Sequence, residues 1–150
     1  MPARSIETPL GTVTAIEDDG AIIRLEWSSG QTDDTDLLRI VETQLGEYFA
    51  GTRDAFVLPI RINASAAQQA VCAAMQAIPM GETRTYGDLA RDLKLSAQAV
   101  GQLCGGNPIP IIVPCHRILG ATTLGGFSAP GGVEAKIWLL KHEKAGGLLI

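Results

Sequence analysis

Polar and apolar residues alternate along the first part of the chain. Within 8–27, Val13 and Ala15 alternate with threonines, EDDG has the composition of a turn, and AIIRLEW resumes a strand pattern. A period of two is typical of strands that bury one face. The pattern therefore predicts two short strands around a turn, followed by a loop over 28–34.

From Asp36 the apolar positions follow helical spacing instead. They recur every three or four residues, at Leu37, Leu38, Val41, Leu45, Tyr48 and Phe49. Gly51 is expected to end this helix, and 56–62 has the composition of an extended segment interrupted by Pro59. These elements predict a compact α+β lobe. Because it contains no histidine or cysteine, we expect no catalytic residue in it.

The second half of the chain has a mainly helical pattern. A helix is predicted over 65–78, capped by Asn63 or Ser65, and we interpret the Cys72 thiol on it as core packing. A last helix is predicted over 133–147, ended by Gly146 and Gly147. Its inward face is expected to carry Ile137, Trp138 and Leu140.

Two short helices between these, 86–93 and 96–106, are joined by a tight turn. This is the pattern of a helix-turn-helix, and an ordinary helical hairpin is the alternative. The second helix carries mainly small residues, and the chain has no arginine or lysine between Lys94 and Arg117. Glutamines are the side chains it offers to bases, and its smooth surface suits a close approach to a narrow groove.

Composition and charge limit the classes of protein to which the chain can belong. The chain is 46% apolar and 19% charged, which is typical of a globular protein, and no apolar run approaches the ~20 residues of a membrane helix. Residues 1–64 contain five basic and eleven acidic residues, whereas 65–150 contain seven and five. The second part could therefore meet a polyanion, although two solvated surfaces are the simpler interpretation. The odd number of cysteines, three, and the absence of a hydrophobic leader predict a cytoplasmic protein without a disulfide framework.

A thiol and an imidazole are adjacent in NPIPIIVPCHRILG, residues 107–120. The thiolate is the nucleophilic form of cysteine, and a neighbouring base can generate it. His116 would be the base for Cys115, Glu143 can orient the imidazole, and Asn107 can tie down the turn. Buried packing of the thiol is the alternative. A metal site is disfavoured because the pair has no partner at ligand spacing.

Four motifs in a fixed order, TYGDLA, NPIPIIV, PCHR and WLLKHE, resemble those of the O6-alkylguanine-DNA alkyltransferases, also called methylated-DNA–protein-cysteine methyltransferases. The resemblance is close over 65–145 and looser before it. It implies an α+β fold, with a small N-terminal α/β (ribonuclease-H-like) lobe over 1–64. A mostly helical lobe with a winged helix-turn-helix would occupy 65–150. The implied function is DNA repair by transfer of an alkyl group from O6 of guanine to the protein itself.

The resemblance also assigns a role to each reactive side chain. Cys115 attacks the alkyl carbon in an in-line displacement, and His116, bridged to it by water and held by Glu143, takes the thiol proton. Tyr86 protonates guanine N3 so that neutral guanine leaves, and Asn107 organises the turn before the active site. The product is an S-alkylcysteine. Each molecule reacts once, and no cofactor or metal is implied.

The implied partner is double-stranded DNA containing O6-alkylguanine, bound by a monomer with no membrane association. The helix-turn-helix would approach from the minor groove, and the damaged base would be flipped into a pocket. The residues expected at the DNA are Ala97, Gln98, Ala99, Gly101, Gln102 and Arg117, the last also with a structural role. The residues expected around the substrate are Val113, Ile118, Phe127, Ser128 and Lys136.

Two positions depart from the family pattern. Gln98 replaces an arginine that fills the space left by the flipped base, and Gly105 replaces a second basic residue. We therefore expect weaker and less salt-sensitive DNA binding. A non-catalytic damage sensor that recruits excision repair is the alternative function, although such sensors lack the acceptor cysteine that this chain keeps. A Cys-His hydrolase is a third possibility, and Cys104, on the presumed DNA face, is interpreted as a small filler residue.

Overall fold

The fold is described from a computed structural model that covers residues 1–127 and 129–145. The chain divides into two compact units, Met1–Asn63 and a second that begins at Ala64. The predicted α+β fold class is confirmed. In the described part of the chain, no helix is long and apolar enough to cross a membrane.

The first unit is an antiparallel three-stranded sheet with one helix packed on it. The strands β1 (Ala3–Thr8), β2 (Gly11–Asp18) and β3 (Ala21–Glu26) pair in the order β1-β2-β3. Helix α1 (Asp36–Phe49) is capped by Thr35, whose hydroxyl accepts a hydrogen bond from the Leu38 amide. The sequence correctly predicted β2, β3 and α1.

Strand β1 was not predicted. Its two buried residues, Ala3 and Ile6, are three positions apart, so the segment lacks the period-two signal of a half-buried strand. The segment 56–62, expected to be extended, forms only an isolated bridge, in which Ile60 lies opposite Ile22 of β3.

The second unit is mainly helical. Its helices are α2 (Ala66–Gln76), α3 (Tyr86–Leu93), α4 (Ala97–Gly105) and α5 (Val133–His142). Two short strands, β4 (Arg84–Thr85) and β5 (Ile118–Leu119), pair in parallel, and a 3₁₀ turn covers Cys115–Arg117. Ser65, not Asn63, caps α2.

Helices α3 and α4 pack together as a helix-turn-helix, as the sequence predicted. A capping box starts α3, because Thr85 and Asp88 each accept a hydrogen bond from the other's backbone amide. Lys94 ends α3 in the left-handed conformation, with φ of 57°, and Ser96 caps α4. The tight turn therefore comes from a local signal that ends one helix and another, two residues later, that starts the next.

Helix α5 differs from its prediction in length and in its buried face. It ends at His142, whereas the prediction extended to Gly147, and Gly146 and Gly147 lie outside the described residues. Ile137 and Trp138 are only partly buried. The buried residues are Ala135, Lys136, Leu139 and Leu140, so a lysine takes a core position that the sequence pattern gave to Ile137.

Candidate active site

The loop that leads to Cys115 is held by the side chain of Asn107. The Asn107 amide donates a hydrogen bond to the Val113 carbonyl at 2.8 Å, and its carbonyl accepts one from the Ile109 amide at 3.0 Å. Between them, Ile111 has a φ of 71°, in a region that β-branched residues rarely adopt. The burial of Ile111, which is 1% exposed, and the Asn107 bridge keep the loop in this strained form.

Cys115 follows at the start of the 3₁₀ turn and is partly exposed. Its amide donates to the Val113 carbonyl at 2.8 Å, so the same residue anchors both Asn107 and the cysteine. Burial raises the pKa of the Cys115 thiol, whereas a hydrogen bond from Asn107 and the charge of Lys136 lower it. The thiol is therefore protonated at rest and needs a base to become a nucleophile.

His116 points away from solvent into a buried network of charges. Its Nε2 lies 2.7 Å from Oε2 of Glu143, and Arg117 donates to the same carboxylate from Nε at 2.8 Å and Nη2 at 3.1 Å. Arg117 Nη1 also donates to the Ile78 carbonyl at 2.6 Å. The network ties the 3₁₀ turn to the end of α5 and to the segment after α2.

The charges of this network fix the state of the imidazole. Burial alone would raise the pKa of Glu143, but hydrogen bonds from His116 and Arg117 outweigh it and lower that pKa to about 2. Burial, together with the charges of Arg117 and Lys136, lowers the pKa of His116 against the opposing effect of Glu143. At neutral pH the site therefore holds an ionised carboxylate and a neutral imidazole.

Cys115 lies in the wall of a cavity of about 190 Å³. The other lining residues are Tyr86, Gly101, Cys104, Gly105, Gly126 and Phe127. Tyr86 is the first residue of α3. Burial raises the pKa of its phenol, and the charge of Cys104 is the next largest cause. The phenol is therefore protonated at neutral pH. The chain passes close to this ring at Gly125, where a Cβ atom would lie only 2.6 Å from the Tyr86 hydroxyl oxygen.

Lys136 connects two segments next to the cavity by hydrogen bonds. Its side chain is fully buried, and its Nζ donates to the carbonyls of Ile118 at 2.5 Å and Gly126 at 3.2 Å, which joins strand β5 to the loop that lines the cavity. Nζ also lies 5.9 Å from the centroid of the Tyr86 ring. Burial lowers the pKa of Lys136 to about 8. Its amine is therefore a buried, mainly charged group, and its charge lowers the pKa of the Cys115 thiol.

The structure gathers most of the predicted reactive residues in one place. Cys115, Tyr86 and Phe127 line the cavity, and His116 contacts Phe127 edge to face with ring centroids 6.4 Å apart.

The other residues expected around the substrate do not line the cavity in the described part of the chain. Val113, Ile118 and Lys136 are buried outside its lining. Ser128 lies outside the described residues.

The residues expected at the DNA divide into two groups. Ala97, Gln98 and Gln102 are exposed on α4, and Ala99 and Gly101 are partly exposed. Arg117, in contrast, is 7% exposed and its guanidinium is held by Glu143 and Ile78. This geometry favours the structural role of Arg117 over a contact with DNA.

Three cavity residues were missed from the sequence, namely Cys104, Gly105 and Gly126. Gly101 was expected at the DNA, and residues three and four positions later share its face of a helix. Helical spacing alone could therefore have placed Cys104 and Gly105 beside it. The described residues contain no group of three or more His, Cys, Asp or Glu side chains arranged to hold a metal ion.

Comparison with known proteins identifies the family. A family model for the DNA binding domain of 6-O-methylguanine DNA methyltransferase matches residues 66–145, and one for its ribonuclease-like domain matches 3–62. The probable methylated-DNA–protein-cysteine methyltransferase of Acanthamoeba polyphaga mimivirus is 37% identical over 150 residues, which covers 96% of this chain and 97% of the relative. The chain belongs to the methylated-DNA–protein-cysteine methyltransferase family. The resemblance on which the sequence analysis relied is thereby confirmed, and so is the enzyme class.

Other members agree in sequence and in fold. The constitutive enzyme of Bacillus subtilis is 36% identical, and the match covers 92% of each chain. The structure of Mycobacterium tuberculosis OGT in complex with DNA superposes with a TM-score of 0.87 at 36% identity, covering 96% of this chain and 93% of that one. The protein is therefore a DNA repair methyltransferase with the fold of this family.

Proposed function

We propose that the protein repairs O6-alkylguanine in duplex DNA by moving the alkyl group onto Cys115, once per molecule. The observation that carries this proposal is the position of the Cys115 thiol, which lies in a cavity wall directly before a neutral, buried imidazole. A thioether is a stable product, and its formation leaves the Cys115 sulfur without a thiol hydrogen. The transfer is therefore irreversible.

The imidazole takes the thiol proton in this mechanism. Nε2 of His116 donates to the ionised Glu143 carboxylate, so the neutral ring keeps its lone pair on Nδ1. Nδ1 is buried and has no hydrogen-bond partner among the described residues. It accepts the Cys115 proton directly or through one water, and the thiolate then displaces guanine from the alkyl carbon.

Tyr86 supplies a proton to the leaving base in the same mechanism. Its phenol lies in the cavity wall and is protonated at neutral pH, so it has a proton to donate to guanine N3. Guanine then leaves as a neutral molecule, which is a better leaving group than its anion.

Replacing Tyr86 by phenylalanine should slow alkyl transfer by ~10²-fold, within the range for general acid catalysis, because the ring is kept and only the proton donor is lost. Single-turnover rates on a methylated duplex would measure this, with binding to the same duplex expected to change little. Tyr48→Phe, at the other tyrosine, is the control because Tyr48 lies in the first unit. Equal transfer rates in Tyr86→Phe and the native protein would rule out Tyr86 as the proton donor.

Helix α4 is the part of the site that we propose to lie against DNA, in the minor groove. Ala97, Ala99 and Gly101 have little bulk, so the helix backbone can come close to the duplex. A base inside the stack cannot present its O6 substituent to Cys115, so the base must be flipped into the cavity. We propose that one monomer does this, in the cytoplasm, where the three free thiols stay reduced.

Gln98→Arg should strengthen DNA binding by about 1–3 kcal/mol and make it more salt-dependent, because it adds a cation to the exposed face of α4. Fluorescence titration of a duplex at several salt concentrations would measure both effects. Gln76→Arg, which adds the same charge at the exposed end of α2, is the matched control. An equal gain in both variants would show that charge alone, and not its place on α4, decides affinity.

Mass spectrometry of the intact protein tests the proposed function directly. The protein is incubated with an excess of duplex containing one O6-methylguanine, and a gain of one methyl group located on Cys115 is expected. Binding to the lesion without any gain in mass would replace this proposal with that of a damage sensor. Repeated turnover of an ester or peptide would favour a hydrolase.

A further inference from the structure

Cys104 is a second thiol in the wall of the reaction cavity, and transfer of a methyl group gives it no role. It lies on α4 three residues after Gly101, and both residues line the cavity together with Cys115. The third cysteine, Cys72, does not line it among the described residues, and its sulfur accepts a hydrogen bond from Gln68. Two of the three thiols therefore face the same space of about 190 Å³.

The ionisation of Cys104 depends on groups around the same cavity. Burial and, after it, the charge of Cys115 raise the pKa of Cys104 to about 12, against the opposing effect of the Lys136 charge. Cys104 is 7% exposed, and no hydrogen bond to its sulfur is found in the described part of the chain. It is thus a buried, unpartnered thiol that shares its cation with the acceptor.

We propose that Cys104 is a second acceptor thiol, which turns the product of an O6-(2-haloethyl)guanine lesion into an ethylene bridge between Cys115 and Cys104. The inference rests on the proposed function, since Cys115 must first take the alkyl group. It concerns alkyl groups that carry a leaving group on their second carbon.

The chemistry balances without an oxidant. In the first step a bond forms between Cys115 Sγ and the first carbon, the bond from that carbon to guanine O6 breaks, and the guanine takes up a proton in exchange for the thiol proton. In the second step Cys104 Sγ bonds to the second carbon, either directly or after the Cys115 sulfur has displaced the halide to form a three-membered sulfonium. The halide leaves with its bonding pair, and the Cys104 proton passes to His116 or to solvent.

Several features favour the second step. A haloethyl thioether beside a thiol reacts within one cavity, and well-oriented reactions of this kind have effective molarities of roughly 10⁵ M or more. A two-carbon bridge also joins sulfur atoms that are farther apart than the ~2.0 Å of a disulfide. Once alkylated, Cys115 can no longer ionise and compete with Cys104, and the charge of Lys136 remains to favour the Cys104 thiolate. The bridge also consumes an alkylating group that would otherwise lie against the bound DNA.

The experiment uses the full chain and a freshly prepared duplex with one O6-(2-chloroethyl)guanine, analysed by intact-protein and peptide mass spectrometry. We expect one ethylene group joining the peptides of Cys115 and Cys104, with both thiol hydrogens lost. Cys104→Ser should lose the bridge completely and carry a chloroethyl or hydroxyethyl group on Cys115. Cys72→Ser, which changes a buried thiol outside the cavity lining, should keep the bridge.

A parallel reaction with O6-methylguanine distinguishes a failure of the proposed function from a failure of the Cys104 inference. If the protein takes no methyl group, the proposed function has failed and the inference falls with it. If it takes the methyl group but the chloroethyl lesion leaves Cys104 free to react with iodoacetamide after unfolding, only the inference is overturned. The same holds if the chloroethyl lesion is not accepted at all.

Discussion

Replacing Cys115 by serine is expected to abolish alkyl transfer while lesion binding is kept. The two side chains differ in one atom, so the Asn107 bridge and the 3₁₀ turn should survive the change. A serine hydroxyl, however, ionises far less readily than a thiol and is a much weaker nucleophile toward an alkyl carbon. Intact mass after incubation with excess methylated duplex should therefore show no added methyl group, at any incubation time for which the native protein is fully modified.

The control for this result is Cys72→Ser. Cys72 is fully buried, and its sulfur accepts a hydrogen bond from Gln68, which a serine oxygen can accept as well. This variant should take up one methyl group at the native rate. A methyl group found on Cys115→Ser would contradict the assignment of the acceptor, and peptide mapping would then show whether Cys104, which shares the cavity, had taken it.

The parts of the site that the sequence predicted correctly are those encoded by local signals. The pair of helices around Lys94 follows from apolar spacing and from capping residues, and the structure reproduces both bounds of the first helix. The adjacency of Cys115 and His116 is a matter of sequence, and Glu143 was identified because so few acids are available near them. Their meeting in space required the family resemblance, since no local rule brings residues 26 or 27 positions apart together.

The parts that the sequence did not predict depend on long-range contacts. Strands β4 and β5 contain two residues each and exist only because Arg84 lies opposite Ile118. Lys136 violates the apolar pattern of α5, because its buried amine is satisfied by two carbonyls from other segments. Arg117 resembled a DNA contact in the sequence, and only the position of Glu143 shows that its charge is used inside the fold.

The Glu143→Gln variant should lose both activity and stability. The carboxylate accepts hydrogen bonds from His116 and Arg117, and an amide at this position would turn one acceptor into a donor that faces other donors. Breaking a buried ion pair of this kind costs about 3–5 kcal/mol. The alkyl transfer rate should fall by ~10²–10⁴-fold, because the imidazole is no longer held in the form that leaves Nδ1 free to accept a proton.

The stability loss should itself depend on pH. The folded pKa of Glu143 is about 2, below the ordinary value of 4.5, so the carboxylate stabilises the fold above pH 4.5 and progressively less as the pH falls toward 2. At 1.36 kcal/mol per pKa unit this amounts to about 3 kcal/mol. Urea unfolding at neutral pH and at about pH 3 should therefore show a large gap between native and Glu143→Gln proteins that narrows in acid. Glu82→Gln, an exposed change in the same unit, should show a small gap at both pH values. A Glu143→Gln gap that stayed constant with pH would mean that the carboxylate is not held ionised by His116 and Arg117.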